Sequence, residues 1–400
     1  MKTSTLLVRL ALVVTAALPL LLPQDATAQL KVRVSVKLLY DNTVFPPIPP
    51  GGDVDGDNST DTNHCGSLFR SAISCDQEIL EKWDYVNRVM THLGRGYIFD
   101  PIEIVHLTNP PAPPLALGAN AWTLAPPDGD TEQLLTQAAI ANPSSYAYRP
   151  DAINYYVFDA NGGGYADNTV ATATNEILTT SQSMYGSWPR FLHEIGHFLG
   201  LFHTFGRGSG TNYVTTDDVC DTLNDRASFQ TLDDIAQLNF SVNFTNLTCA
   251  QQEKVYDVYY NIMSYHADDN HTNDARFFDF ASVQCNTNAL PDTSQHIRHR
   301  LTTDQLDRIS NRLNNLATVG VTSGRTVFVS PSSLPCDQAP RSLGGGVTPP
   351  EPSIAAGLAS AAADPNEDIV LIRAGTYVEA LTINQPVTLR ATRGDVIIAP

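Results

Sequence analysis

The segment from Phe191 to His203 places His193, Glu194, His197, Gly200 and His203 in the pattern H-E-x-x-H-x-x-G-x-x-H. On a helix, residues four apart share a face, so His193 and His197 present two imidazoles to one point. Glu194 stands beside them, within reach of a water held by a metal at that point. Gly200 can take the positive φ that ends a helix abruptly. The chain then turns, and His203 arrives as a third ligand from outside the helix. Three neutral nitrogens and one open position suit a catalytic zinc, whereas structural zinc sites close all four positions.

The elements that must position these residues follow from periodicity. The chain opens with Lys2 and Arg9, an apolar run from Leu10 to Leu22, and the small-x-small sequence Ala26-Thr27-Ala28. This pattern predicts a signal peptide over 1–28, cut before Gln29, and a secreted, extracellular protein with no membrane span. Val32, Val34 and Val36 alternate as a first strand. A helix is expected over 76–93, with Ile79, Trp83, Val86, Met90 and Leu93 on one stripe and Asp76 as its cap. Ile102–Leu107 is a second strand, and the β-α-β order predicts that it runs parallel to the first. A Pro-, Ala- and Gly-rich loop over 109–130 leads to a short helix over 131–141.

The strand over 151–159 runs into glycines at 162–164. It reads either as a sheet edge that a peptide extends by strand addition or as a strand followed by a flexible turn. Asp53, Asp55, Asp57 and Asp61 resemble the start of a calcium loop. Asn58 replaces the expected Gly and no Glu follows at the twelfth position, so a solvated acidic loop is the better reading.

Beyond His203, Asp217, Asp218, Asp221 and Thr222 offer hard oxygen ligands for a structural Ca2+, or else form a plain acidic turn. At 261–265 the sequence Asn-Ile-Met-Ser-Tyr predicts a tight turn that sets Met263 beneath the histidines as a soft apolar floor. Tyr265 then points back to the metal, where its hydroxyl can hold a developing oxyanion.

Lys and Arg number 24 against 42 Asp and Glu, a formal charge of −18. Loss of 1–28 removes Lys2, Arg9 and Asp25, making the balance −19. Such acidity argues against nucleic acid or an anionic membrane as partner. The six cysteines all lie in the exported portion. Sequence alone does not choose their pairing; Cys65–Cys75 and Cys220–Cys249 are expected, with Cys285–Cys336 left over.

Together, the zinc motif through Phe205, the D-x-x-D-T element at Asp218–Thr222 and the N-I-M-S-Y element at 261–265 resemble the metzincin zinc proteases, and within them the pappalysin (ulilysin-like) family. A closing helix over 303–316, with Leu306, Ile309, Leu313 and Leu316 on one face, completes a resemblance that covers about residues 30–318. It implies an α/β (α+β) catalytic domain, here 29–318, with a mixed, mainly parallel sheet and an active-site helix. It implies an endopeptidase acting on a protein or peptide substrate, with Zn2+ on His193, His197 and His203, Glu194 as general base and Tyr265 assisting. By the same resemblance, Asn154, Tyr155, Tyr156, Val157 and Phe158 form the substrate-binding rim strand. Asp221 and Thr222 fall on a calcium site, and Cys220–Cys249 pins the segment below the cleft. Asp268 and Asp269 read either as an acidic pocket that would favour basic residues after the scissile bond, as in some members of the family, or as plain surface acidity.

Two features depart from the family. Leu223 stands where a Pro usually follows D-T. The first strand begins within a few residues of the signal peptide and no cysteine precedes Cys65, so latency through an N-terminal pro-segment is not expected.

A linker is expected over 319–350. Over 351–400, short β-branched triplets resemble the opening rungs of a pectin-lyase-like parallel β-helix, with 354–363 as a capping helix. So few rungs cannot bury a solenoid core. They are therefore expected to continue in a longer protein or, failing that, to dock on the catalytic domain; carbohydrate or cell-surface contact would suit them. The rival readings are a secreted adhesion or glycan-binding protein on an inactive metzincin scaffold, and a zinc hydrolase of non-peptide amides. Five N-x-S/T sequons, at Asn58, Asn239, Asn243, Asn246 and Asn270, bear on the protein only in a eukaryotic source.

Overall fold

The computed structural model describes residues 29–40, 72–108, 135, 137–158, 164–165, 176–180, 188–206, 217, 219, 221–227, 230–266, 298–317, 320–330, 350–363, 368–391 and 395–399. Strand β1 (Leu30–Tyr40) follows from the alternating valines, and Val32, Val34 and Val36 are all fully buried. It is parallel both to β2 (Tyr97–Thr108) and to β3 (Ile153–Phe158). Strand β5 (Glu176–Thr180) adds parallel to β3, and the two-residue β4 (Gly164–Tyr165) closes the order β2-β1-β3-β5-β4 as the one antiparallel member. The expected mixed, mainly parallel sheet is therefore present.

Two details come from local chemistry. Pro101 lies inside β2, where it has no N–H for the ladder. The β1–β2 register slips opposite it, from Val34↔Pro101 to Ser35↔Glu103, leaving Ile102 as the extra residue of a bulge. The edge position of β2 tolerates the proline. Helix α1 (Ala72–His92) begins four residues before Asp76, so Asp76 is not its cap. Its carboxylate instead meets Nε2 of His106 on β2 at 2.9 Å.

Helix α1 buries Ile79, Trp83, Val86 and Met90 on the sheet, as its spacing requires. Trp83 stacks on Phe99 of β2 and meets Phe191 edge-on at 4.8 Å. That contact joins α1 to the motif helix, α2 (Trp188–Phe198). Residues 137–141 are helical, within the range expected. After α2 come α3 (Leu232–Phe240) and α4 (Cys249–Tyr259), each opened by a capping box, Thr231 with Asp234 and Thr248 with Gln251. Helix α5 (Thr303–Ala317) matches the expected closing helix and buries Leu306, Ile309, Leu313 and Leu316. None of the helices among the described residues is long and apolar enough to cross a membrane.

The stretch read as a linker is partly built into the sheet region. Val321–Ser323 bonds to the start of β1 (Arg33 N to Val321 O, 2.8 Å), ahead of the point where β3 begins to pair. Strand β6 (Thr326–Val329) also falls inside 319–350. It heads a parallel sheet, β6-β7-β9, with β7 (Ile369–Ile372) and β9 (Thr388–Ala391); β8 (Gly375–Val378) and β10 (Val396–Ala399) form a second parallel pair. Helix α6 (Ile354–Ala362), capped by Ser353, packs on β6 and β7 through Ile354, Leu358 and Ala361.

These strands dock on the first sheet and on α5. Strand β7 is buried along its whole length: Val370 and Ile372 face α6, while Ile369 and Leu371 join the core of the first sheet. Asn314 of α5 exchanges two hydrogen bonds with the Thr326 backbone. Arg373 reaches Asp304 and Asp307 of α5, and Arg95 meets Asp307 from the other side at 2.8 Å.

Candidate metal centre

Helix α2 ends as its sequence demands. Gly200 has φ +88°, its N–H bonds to His197 O, and Leu201 N–H reaches back to Gly196 O, both at 2.9 Å. This is a Schellman motif with Gly200 in the left-handed position. The reversal carries His203 back over the helix face. Its Nε2 lies 3.2 Å from Nε2 of His193 and 3.1 Å from Nε2 of His197. Ligands roughly 2.0–2.1 Å from a tetrahedral zinc stand about 3.3 Å apart, so the spacing fits that ion.

The far nitrogens fix the tautomers. Nδ1 of His193 meets Ile262 O at 2.8 Å and Nδ1 of His197 meets Leu201 O at 2.9 Å. A carbonyl only accepts, so each Nδ1 carries the proton and each Nε2 keeps a lone pair for metal. Burial disfavours the charged imidazolium at all three. His193 is held well below the ordinary histidine value, chiefly by burial and then by its histidine neighbours and Arg298. Burial takes His197 down to about 4. Burial, with His197 and Arg298 adding, takes His203 to about 3. At neutral pH all three could take a metal without first losing a proton.

The floor is built from the turn over 261–264, closed by Ser264 N to Asn261 O at 3.0 Å. Met263 is fully buried there, and its N–H bonds to Asn261 Oδ1 at 2.9 Å. A Cβ placed on Gly196 would lie 2.4 Å from Met263 Sδ, so the helix approaches the turn closely only because residue 196 has no side chain. Tyr265 is half exposed, with its hydroxyl 2.9 Å from Nε2 of His203. Glu194 is buried beside His193. The expected ligands, base, helix-ending glycine, methionine and tyrosine thus meet in one place.

The acidic segment is divided. Asp217 is buried and accepts from Gln305 Nε2 at 2.6 Å and Thr222 Oγ1 at 3.2 Å. Burial raises its carboxyl to about 7 against those donors and Arg308. Asp221 accepts from Asp304 N at 3.0 Å, at the positive end of α5. Its other oxygen is buried without a hydrogen-bond partner. Asp217 and Thr222 direct their oxygens at each other, so within the described part of this set only Asp221 Oδ1 is left for a cation. Asp218, Cys220, Asp268, Asp269, Cys65 and the side chains of Cys75 and Phe158 lie outside the described residues. Cys249 is held in a disulfide at the start of α4.

The rim-strand expectation is corrected. Asn154, Tyr155, Tyr156, Val157 and Phe158 lie in β3, which is paired on both sides, by β1 and by β5. Its backbone is therefore spent within the sheet. Asn154 clamps the preceding turn through Arg149 N and O, each at 2.8 Å, and Tyr156 donates to Tyr146 O at 3.0 Å. Among the described residues the outer strand on the β5 side is β4, which lies against α2.

Sequence reasoning also missed Gly196 and a buried set behind the site, Thr204, Asp225 and His266. A glycine in mid-helix costs about 1 kcal/mol against alanine, and that cost was the available signal for Gly196. For the other three, which meet only in the fold, spacing gave none.

No family model matches this chain, and no curated protein matches it. Among solved structures it is similar to one described as "Structure of a chaperone-substrate complex", at 14% identity and a TM-score of 0.25. The match covers 46% of this chain and 28% of that one, and likeness at that level carries no argument.

Proposed function

We propose that this chain is a secreted zinc endopeptidase resembling the metzincins of the pappalysin family, with C-terminal rungs resembling those of a parallel β-helix. The observation that supports it most is the meeting of three Nε2 lone pairs, two of them fixed by carbonyl partners on Nδ1, beside Glu194 and under Tyr265. His193, His197 and His203 would hold Zn2+, which when bound supplies a Lewis acid and lowers the pKa of water. Glu194 takes a proton from the attacking water and later delivers it to the leaving amine. Tyr265 directs its hydroxyl at the oxygen of the scissile carbonyl as negative charge develops there. An extended peptide would add beside α2 at the edge that β4 forms among the described residues. Asp221 Oδ1 is the one described atom that supports a structural Ca2+ nearby. Against an inactive scaffold stands the intact set of ligands and base, since a disused site has no reason to keep all of them.

The test compares the mature chain with Glu194→Gln on a complex peptide library, reading cleavage by mass spectrometry and zinc by elemental analysis. The wild type should cut, lose activity to a chelator and regain it with zinc. Glu194→Gln should hold one zinc and lose at least about a hundredfold in turnover. If neither protein cuts while both hold zinc, the scaffold reading replaces this one.

A further inference from the structure

Behind the metal centre, Thr204, Asp225 and His266 form a polar chain with no solvent exposure. Thr204 Oγ1 donates to Asp225 Oδ2. Nδ1 of His266 accepts from Gln230 N–H at 3.1 Å, so the proton of this ring sits on Nε2 and is given to Asp225 Oδ1 at 2.6 Å. Arg226 N–H adds a third donor to Asp225 at 2.7 Å. Burying such groups is costly unless every one is bonded, and here they are bonded to one another.

What the chain connects gives it meaning. Thr204 directly follows the ligand candidate His203, and its own N–H bonds to Met263 O at 3.2 Å. His266 directly follows Tyr265. His203 and Tyr265 are 62 residues apart in sequence, yet their polar atoms meet at 2.9 Å. One carboxylate, Asp225, grips the residue after each. On its outer side the His203 ring is stacked by Phe205, with centroids 4.6 Å apart and planes 11° apart. Phe205 also meets the Tyr265 ring, with centroids 5.0 Å apart, so it packs against both rings, while the hydrogen-bonded ties behind them run through Asp225.

We infer that Asp225 is a positioning residue which, through Thr204 and His266, sets the Tyr265 hydroxyl against His203. It touches neither metal nor substrate. The inference rests on the proposed hydrolase only for its effect on turnover; the hydrogen bond it controls exists in the metal-free protein.

The first arm therefore uses metal-free protein labelled with 15N-histidine. In Tyr265→Phe the His203 Nε2 resonance should move as its hydrogen bond is lost. Asp225→Asn, which keeps the shape but turns an N–H₂ towards one of its donors, should move it in the same direction. An Asp225→Asn spectrum with His203 unchanged overturns the inference, whatever the enzyme assays show. Thr204→Val, which removes one hydroxyl, serves if Asp225→Asn does not fold, and is read by the same criterion.

The second arm uses zinc-loaded enzyme at one zinc per chain. Asp225→Asn should lower kcat at least about tenfold with KM within about twofold, as expected when an oxyanion donor is misplaced. In a Tyr265→Phe background the same change should cost less than about twofold, because the hydroxyl it positions is gone. His266→Gln, which can still offer an N–H to Asp225, should recover most of the activity that His266→Leu loses. Losses that multiply in full in the Tyr265→Phe background overturn the positioning role in favour of general destabilisation. A wild type that never cuts defeats the protease reading and leaves the spectroscopic arm to decide this one.

Discussion

Each motif histidine on α2 turns one ring nitrogen to a carbonyl, of Ile262 or Leu201, and the other to Nε2 of His203. Burial raises the carboxyl of Asp217 to about 7, which ties stability to pH. Between about pH 4 and 7 the folded chain keeps a proton there that the unfolded chain has released. Stability from this group is therefore present at low pH and lost as pH rises through 7. The metal-free histidines act oppositely, because their lowered values leave the unfolded chain with more bound protons below about pH 6.5. Comparing Asp217→Asn with wild type by urea unfolding in metal-free buffer cancels the histidines. The variant should gain on wild type by a few kcal/mol between pH 4 and 8. A difference that is flat with pH would show that Asp217 is ionised throughout.

Helix α2 and the turn at 261–264 are one unit, because Gly196 lets Met263 sit directly against the helix. Gly196→Ala raises intrinsic helix stability by about 1 kcal/mol. It also drives a methyl to 2.4 Å from Met263 Sδ, and overpacking of this kind costs about 1–3 kcal/mol. The steric term should win, and the turn should shift away from His193, whose Nδ1 depends on Ile262 O. Lower metal-free stability and weaker zinc binding in chelator competition are expected; a variant more stable than wild type would show that the methionine swings aside freely. Helix α2 itself was legible from the i, i+4 spacing of its histidines and the glycine at 200. The interior place of β3 was half legible: Tyr155 to Phe158 run without a charged or amide side chain, which marks a strand covered on both faces, whereas an exposed edge favours alternation. A rim assignment taken from resemblance overrode that signal.

At the scale of the molecule, α5 is the beam between the centre and the C-terminal strands. Its start holds Asp221 and Asp217 through Asp304 N and Gln305, and Gln305 Oε1 also accepts from Asn261 of the turn at 2.9 Å. Its other face receives Arg373, which with Asp304 and Asp307 is only 10–13% exposed. Removing one member of so buried a group leaves charge uncompensated, so Arg373→Met should cost about 3 kcal/mol in urea unfolding. Lys31→Met breaks an exposed 3.7 Å pair with Asp100 and should change stability by less than about 1 kcal/mol. Equal effects from the two would mean that the C-terminal strands are not braced through α5.

Sequence alone determined what depends on local spacing. Two imidazoles four apart share a helix face, a glycine at 200 ends that helix, and a methionine two before a tyrosine fits a tight turn. These hold for any chain that folds them locally. Tertiary structure decided what depends on contacts far apart in sequence: which strand is the edge, that Ile369 and Leu371 complete the first core, and that Asp225 joins Thr204 to His266. Periodicity says which side of an element is buried, but not which element buries it. Those partners are chosen only when the whole chain packs.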